Sequence, residues 1–239
     1  MRGAESGDTY RELVRRMGRD GWLAVGWPTE YGGRGYKGTE QLIFFEEANI
    51  AGAPLPFVTI STVGPALMEH GTALQKSRFL PGIAAGEIHF AIGYSEPDAG
   101  SDLATLKTAA RLEGDEFVVN GNKLWTSGVE AADFIWLAAR TDPERARHLG
   151  ISLLILDARA PGVSHTLIHT VGNATSATYY DNVRVPREML VGELHGGWKL
   201  ITSQLNHERL GLGAWADKVF APFRRVLLWA KAPDEQGRR

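Results

Sequence analysis

The sequence of 239 residues predicts an α+β fold with three successive regions, and three observations predict it. Apolar residues recur at helical steps of three and four until about residue 88. From His89 the pattern changes to short runs of β-branched and aromatic residues, separated by Gly, Pro, Asp and Asn. Helical spacing returns after Gly196 and Gly197. We therefore place the three regions at residues 1–88, 89–192 and 193–239.

The first region is predicted to consist of short helices. Four segments have helical spacing, residues 9–17, 39–51, 61–70 and 73–80. Thr39 stands where an N-terminal capping residue is expected. Gly33, Gly35 and Gly38 match the glycine spacing of dinucleotide-binding loops, but no strand precedes them and no βαβ unit follows. This segment is therefore predicted to be a glycine-rich loop.

The middle region is predicted to be β-structure. Six strands are expected, at residues 90–95, 105–112, 116–120, 134–140, 151–157 and 177–183. Glu113, Gly114 and Asp115 form a turn that joins two of these strands as a hairpin. Because no helical pattern separates the strands, they indicate an antiparallel sandwich or barrel.

The last region is predicted to be one long helix with an apolar stripe. Its apolar residues keep steps of three and four, except for one step of seven between Leu205 and Leu212. Glu208 occupies the missing inward position. A carboxylate there is either a structural acid paired with a base such as Arg209, or a general base whose pKa is raised by desolvation. The spacing leaves both interpretations open.

Composition excludes several classes of function. The 26 Lys and Arg residues nearly balance the 28 Asp and Glu residues, and the formal net charge of −2 gives no field that favours nucleic acid or an anionic membrane. Cysteine is absent and the histidines are scattered, so neither disulfides, nor cysteine nucleophiles, nor a metal site is predicted. No segment has the apolar length of a membrane span or signal peptide, and a cytoplasmic protein is expected.

Two loops of the middle region carry hydroxyl and aromatic side chains. Residues 94–102, Tyr-Ser-Glu-Pro-Asp-Ala-Gly-Ser-Asp, leave one predicted strand, and residues 124–128, Leu-Trp-Thr-Ser-Gly, follow another. Together they could bring backbone N–H groups and an aromatic plane against a planar ligand. Each loop alone is also compatible with an ordinary turn or with core packing. Pro97 stands where a nucleophile elbow needs glycine, which argues against a nucleophilic serine.

These loops, in this order, resemble the acyl-CoA dehydrogenase family. The matching stretches are residues 90–103, 119–128 and 180–187, and residues 27–33 resemble the turn of the family's N-terminal domain. The resemblance implies an N-terminal α-helical domain, a middle antiparallel β-barrel domain for flavin and substrate, and a truncated C-terminal helical bundle. By the family's length, this chain is expected to be an incomplete fragment that exposes the apolar face of its last helix.

The resemblance also implies FAD as the cofactor and assigns residues to it. Ile92, Tyr94 and Ser95 match strand-end positions that contact the pyrimidine side of the flavin. Trp125 and Ser127 match positions beside the flavin ring and its N5. A serine replaces the threonine that is common at the last of these positions, and the hydroxyl is kept.

The implied reaction removes the α-proton of an acyl-CoA while a hydride leaves its β-carbon, which gives a trans-2-enoyl-CoA. Glu208 matches the base of the isovaleryl and long-chain members, and the gap in the apolar stripe favours the same residue. Ser101 matches a position near the thioester and pantetheine, and Arg209 is assigned to substrate binding with it. The expected partners are the acyl-CoA, an electron-transfer flavoprotein as acceptor, and further copies or a second kind of subunit.

Two alternatives differ from this interpretation in function. The chain could be a non-catalytic subunit or binding module of a heteromeric dehydrogenase, or a flavin monooxygenase of the same fold, which needs no carboxylate at Glu208. Residues 172–176 and 206–209 resemble actinobacterial members that act on bulky acyl groups, including steroid side chains. Some of those members are heterotetramers of two kinds of subunit.

Overall fold

A computed structural model describes residues 7–171, 174–213 and 219–233, without the side chains of residues 207–213 and 221. The four predicted N-terminal helices are present: α1 (Asp8–Arg19), α2 (Gly38–Ile50), α3 (Gly64–His70) and α4 (Ala73–Ala84). A π-helical turn, Thr59–Val63, leads into α3. The cap predicted at Thr39 was wrong: α2 begins at Gly38, and the Glu40 carboxylate accepts a hydrogen bond from the Lys37 backbone N–H at 2.7 Å.

Trp27 is buried between the glycine-rich loop, the π-helical turn and the start of α3. Its indole Nε1 donates a hydrogen bond to the carbonyl oxygen of Ile60 at 3.1 Å. Two glycines approach it closely: a Cβ added at Gly33 would lie 2.0 Å from the Trp27 carbonyl oxygen, and one added at Gly64 would lie 2.1 Å from a ring carbon. The glycine-rich segment is thus a loop, as predicted, and it makes room for one large buried side chain.

All six predicted strands are present, and two further strands accompany them. The strands are β1 (Phe90–Gly93), β2 (Ala109–Glu113), β3 (Glu116–Lys123), β4 (Phe134–Arg140), β5 (Ile151–Asp157), β6 (Val163–His169), β7 (Ala174–Pro186) and β8 (Leu190–Val191). The prediction missed β6 because most of its side chains on both faces are exposed, so it lacks an apolar alternation. β8 has only two residues and carries no pattern.

The strands form one sheet with the order β6-β7-β3-β2-β4-β5-β8, and β1 pairs with β4. The predicted closed, antiparallel barrel is corrected in two respects. Among the described residues the outer strands β6 and β8 do not pair with each other, since β8 is very short and β6 is solvated. β1 and β2 both run parallel to β4, with Phe90 opposite Phe134 and Ala109 opposite Arg140. β1 and β2 pair with successive parts of the same edge of β4, because the chain leaves this edge after β1 and returns to it at the start of β2.

The C-terminal region is described as α5 (Gly197–Gly213) and α6 (Phe220–Lys231), and the predicted single helix also includes residues 214–218, which lie outside the described residues. α5 packs on β5, α3 and the π-helical turn. Its inward face differs from the predicted stripe, since Gln204 is buried whereas Leu205 is 37% exposed. None of the described helices combines the length and the apolar character of a membrane span. α6 exposes Phe220, Phe223, Val226, Leu228 and Trp229.

A buried ion pair joins the loop after β1 to the end of β3. The side chains of Lys123 and Glu96 are 0% and 7% exposed, and Lys123 Nζ lies 2.9 Å from Glu96 Oε1. The Glu96 carboxylate also accepts hydrogen bonds from the backbone N–H groups of Lys107 at 2.6 Å and Thr108 at 2.8 Å. Lys123 Nζ also donates to the carbonyl oxygen of Tyr94 at 2.9 Å. The pair therefore holds three chain segments together.

Both members of this pair are charged near neutral pH. Burial alone would raise the pKa of Glu96, but the charge of Lys123 and the hydrogen bonds to the carboxylate hold that pKa below its usual value. Burial lowers the pKa of the Lys123 ammonium to about 8, against the opposing attraction of Glu96. Stability should therefore depend on pH through Glu96 on the acid side.

Glu96→Gln should lower the free energy of unfolding by about 3–5 kcal/mol at about pH 7, because Lys123 is left buried without a counter-charge. The pKa of Glu96 is lower in the folded chain than its ordinary value of 4.5. The stabilisation is therefore complete above that value and is lost as the pH falls below it. Urea unfolding should show that wild type and variant converge in acid.

The matched control for this prediction is Glu116→Gln at the other end of β3. Glu116 forms an exposed ion pair with Arg184 at 3.2 Å, and its loss should change the free energy of unfolding by less than about 1 kcal/mol. Equal losses in the two variants would contradict the account. A wild-type advantage over Glu96→Gln that does not change with pH would contradict it as well.

Candidate functional site

The structure brings the two predicted loops together. The backbone N–H of Leu124 donates to the carbonyl oxygen of Ser95 at 2.8 Å. The neighbouring residue on each loop repeats the contact, since the Lys123 ammonium donates to the Tyr94 carbonyl. The segment after β1 and the segment after β3 therefore run side by side, although they are separated by some two dozen residues of sequence.

Trp125 presents an aromatic surface at this junction. Its side chain is 55% exposed, and its backbone has φ of +66°, in the left-handed region that a bulky residue rarely adopts. Hydrogen bonds on its C-terminal side fix the turn: the Thr126 N–H donates to the Ser176 carbonyl at 2.9 Å, and the Ser127 N–H donates to the Trp125 carbonyl at 3.0 Å. A strained backbone that exposes a large aromatic ring is typical of a ligand-binding position.

A set of hydroxyl groups lies behind and beside Trp125. The Ser127 and Thr175 hydroxyls are 2.9 Å apart at the exposed end. The Thr126 hydroxyl lies 3.2 Å from that of Thr178, which in turn lies 3.0 Å from the Tyr180 hydroxyl in the interior. The members from β7 were not predicted, because isolated hydroxyl residues in a strand give no local signal.

Burial raises the pKa of Tyr180 well above its usual value, so its hydroxyl keeps its proton near neutral pH. The hydroxyl set therefore contributes donors and acceptors without any charge of its own.

The predicted residues of β1 and its end have different environments. Ile92 is half-buried and stands opposite Trp136 of β4. Tyr94 is buried and its hydroxyl donates to Gln204 Oε1 of α5. Trp136 Nε1 donates to the same oxygen at 2.8 Å. Ser95 is half-buried beside the Trp125 turn. Tyr94 thus uses its hydroxyl for an internal contact that ties α5 to the sheet.

Gln204 was not predicted, and it fixes the rotation of α5. Its side chain is 1% exposed, and its Nε2 has no hydrogen-bond partner among the described residues. The inward face of α5 runs through Leu200, Ile201 and Gln204. A helical repeat that starts at residue 200 instead of residue 198 would have placed Gln204 on the inward face. The backbone of positions 208 and 209 is helical, whereas the side chains of Glu208 and Arg209 lie outside the described residues.

Ser101 is exposed and lies beside a cationic cleft. Its neighbour Asp102 forms an ion pair with Arg147 at 3.1 Å. The cleft is lined by Lys107, Arg140, Arg145 and Arg147 together with apolar residues. Arg140 is held in place because its guanidinium donates to the Ala104 carbonyl at 2.7 Å. This cleft was not predicted, because its cations lie before β2, at the end of β4 and in the connection to β5.

Potential metal ligands are not grouped in the part of the chain that the structure describes. There, no three His, Asp or Glu side chains are placed so that they could hold a metal ion. The groups that converge at the two loops are an aromatic ring, hydroxyls and backbone N–H and carbonyl groups, and this donor set suits an uncharged planar ligand.

Comparison with known proteins identifies the family of the chain. A family model described as acyl-CoA dehydrogenase, N-terminal domain, matches residues 2–87. A second model, described as acyl-CoA dehydrogenase, middle domain, matches residues 91–183. The first match spans the helices around Trp27, and the second spans both loops and most of the sheet.

Individual relatives extend the comparison into the C-terminal region. Acyl-CoA dehydrogenase FadE26 of Mycobacterium tuberculosis is 55% identical over 235 residues, which are 97% of this chain and 58% of FadE26. A structure described as the Tcur3481-Tcur3483 steroid ACAD has a TM-score of 0.92 and 53% identity, over 96% of this chain and 60% of that one. The ChsE4-ChsE5 complex from Mycobacterium tuberculosis has a TM-score of 0.90 and 55% identity. The match covers 98% of this chain and 61% of the matched chain.

The chain therefore spans less than two thirds of the length of the relatives that it matches. Over the part that is shared, the order of the two matched domains and the fold agree, and 53–55% of the residues are identical. The chain belongs to the acyl-CoA dehydrogenase family, of which it carries the N-terminal and middle domains and helices from the C-terminal side.

Proposed function

We propose that this chain binds FAD and an acyl-CoA thioester and takes part in the α,β-dehydrogenation of that thioester to the trans-2-enoyl-CoA. The observation that carries the proposal is the junction of the two loops. There Ser95 accepts a hydrogen bond from Leu124, and the exposed ring of Trp125 lies next to the Ser127 and Thr175 hydroxyls.

The residues at this junction suit a flavin. An isoalloxazine ring needs a flat apolar surface beside hydrogen-bond donors and acceptors. The exposed indole of Trp125 offers the surface, and Ser95 and Ser127 offer hydroxyls. Together with Ile92 and the backbone of Tyr94 they are proposed to hold the ring. Bound FAD would supply the acceptor for the hydride that leaves the substrate β-carbon.

The opposite side of the first loop suits the coenzyme A part of the substrate. Ser101 is proposed to lie near the pantetheine. The adjoining cleft offers Lys107, Arg140, Arg145 and Arg147, and guanidinium and ammonium groups are common partners of phosphates. Lys107 pairs with Asp98, Arg145 with Asp142 and Arg147 with Asp102, so the phosphates of coenzyme A would bind these cations in place of the carboxylates.

We assign removal of the α-proton to Glu208. Gln204 anchors α5 on the sheet, and one helical turn later the backbone places position 208 on the same face. A carboxylate is a general base that can accept a proton from carbon. Arg209 is proposed to contact the substrate beside it. The spacing of position 208 from the buried Gln204 and the family position support the same residue.

The relatives support a narrower proposal about substrate and partners. One similar structure is described as a steroid ACAD, and it and the ChsE4-ChsE5 complex each pair two differently named chains. We therefore propose a bulky acyl group such as a steroid side chain, with an electron-transfer flavoprotein as acceptor. A second candidate function follows from the same structures: a subunit of a heteromeric dehydrogenase that acts only together with its partner.

Glu208→Gln should abolish bleaching of the flavin absorbance by a steroid-side-chain acyl-CoA in the FAD-loaded protein. An amide cannot take the α-proton, so the rate should fall by about 10²-fold or more while FAD stays bound. The measurement is stopped-flow absorbance without oxygen.

Glu193→Gln, at an exposed position before α5, is the control and should bleach at the wild-type rate. Bleaching retained in Glu208→Gln would remove this assignment. An oxygenated product formed only in the presence of O₂ would favour the monooxygenase alternative instead.

If the heteromeric function is correct, co-expression with a homologue of the second chain in the Tcur3481-Tcur3483 pair should give a mixed assembly. Native mass spectrometry should then show both chains in equal numbers, and activity should need both. Active assemblies that contain only this chain would contradict the heteromeric function and favour the homomeric enzyme.

A further inference from the structure

The ion pair of Lys123 and Glu96 is placed where a structural role alone does not account for it. Its two partners come from the two loops that meet at the candidate site, and both are buried. A buried ion pair is rarely more stabilising than well-packed apolar residues of the same size, because both charges lose their hydration. Its presence therefore needs a reason other than stability.

Glu96 lies within the loop that follows β1, and Lys123 directly precedes the loop that follows β3. Lys123 immediately precedes the turn that carries Trp125. Its ammonium donates to the Glu96 carboxylate and to the Tyr94 carbonyl oxygen, each at 2.9 Å, and among the contacts described both partners lie on the other loop. A change in the position of Lys123 is passed to Trp125 through two peptide units.

Glu96 holds together the two ends of the loop that follows β1. Its carboxylate accepts the N–H groups of Lys107 and Thr108, where the chain returns toward β2. The Glu96 side chain thus joins the two ends of the loop that contains Ser101, residues 96–108. The same carboxylate that closes this loop holds Lys123, so this charge pair acts together with the Leu124–Ser95 hydrogen bond on the spacing between the two loops.

We propose that Lys123 and Glu96 are positioning residues that set the separation of the Ser95 and Trp125 loops, and hence the fit of the flavin between them. This inference rests on the proposed function for its ligand, but the loop separation itself is a property of the chain without ligand. The two parts can therefore be tested separately.

The test replaces the charges by apolar side chains of similar length, in the double variant Glu96→Leu with Lys123→Met. The full chain is compared with wild type and with Glu116→Gln, which removes only an exposed pair on the same strand. Hydrogen exchange without cofactor reports the Leu124 amide, which bonds Ser95. Absorbance and fluorescence titration with FAD reports the affinity and the visible spectrum of bound flavin.

The proposal expects the folded double variant to exchange the Leu124 amide at least about tenfold faster than wild type, because the loops separate locally. It also expects FAD affinity to fall by about tenfold or more with a shifted flavin band, since a preorganised site is lost. The Glu116→Gln control should match wild type in both measurements. If the double variant does not fold, Glu96→Gln is measured in its place against the same criteria.

Unchanged Leu124 exchange in a folded variant would overturn the proposal, whatever the FAD result. Faster exchange with unchanged FAD affinity and spectrum would also overturn it, because the pair would then be structural only. If wild type itself binds no FAD, the proposal that this chain binds FAD fails and the heteromeric subunit is favoured. The exchange measurement alone then decides whether the pair sets the loop separation.

Discussion

The arrangement of this chain depends on one buried contact, the ion pair between Glu96 and Lys123. β1 is only four residues long and, in the described part of the chain, pairs only with β4, so it cannot by itself hold the loop that follows it. The Glu96 carboxylate, which lies in that loop, binds the backbone just before β2 and the Lys123 side chain at the end of β3. Because the charges are buried, each needs the other, and the three segments keep one relative position.

A second contact links the helices to this arrangement. Gln204 of α5 accepts hydrogen bonds from Tyr94 and Trp136, one at the end of β1 and one in the centre of the sheet. The helix that carries position 208 is thus oriented by the same strand that leads into the loop of Ser95. The Trp125 turn, the loop of Ser95 and the backbone of α5 are thus held by neighbouring polar contacts that meet at Tyr94.

The sequence predicted the elements whose apolar spacing is strong, such as α1, β4 and β5, because burial imposes that spacing. It could not predict β6, whose faces are solvated, or the open sheet, because strand order depends on pairings between distant segments. The two loops could be recognised from their motifs. Their contact could not, and neither could the partner of Tyr94, since Gln204 lies 110 residues away and nothing local marks the pair.

The central claim is that the junction of the two loops, with Trp125 at its surface, is a flavin site. The most direct test is equilibrium titration of the chain with FAD, for wild type and Trp125→Ala. Since the ring is exposed, the substitution should leave the fold intact, and loss of the aromatic contact should weaken FAD binding several-fold to about tenfold. Equal FAD affinity in the two proteins would contradict the claim.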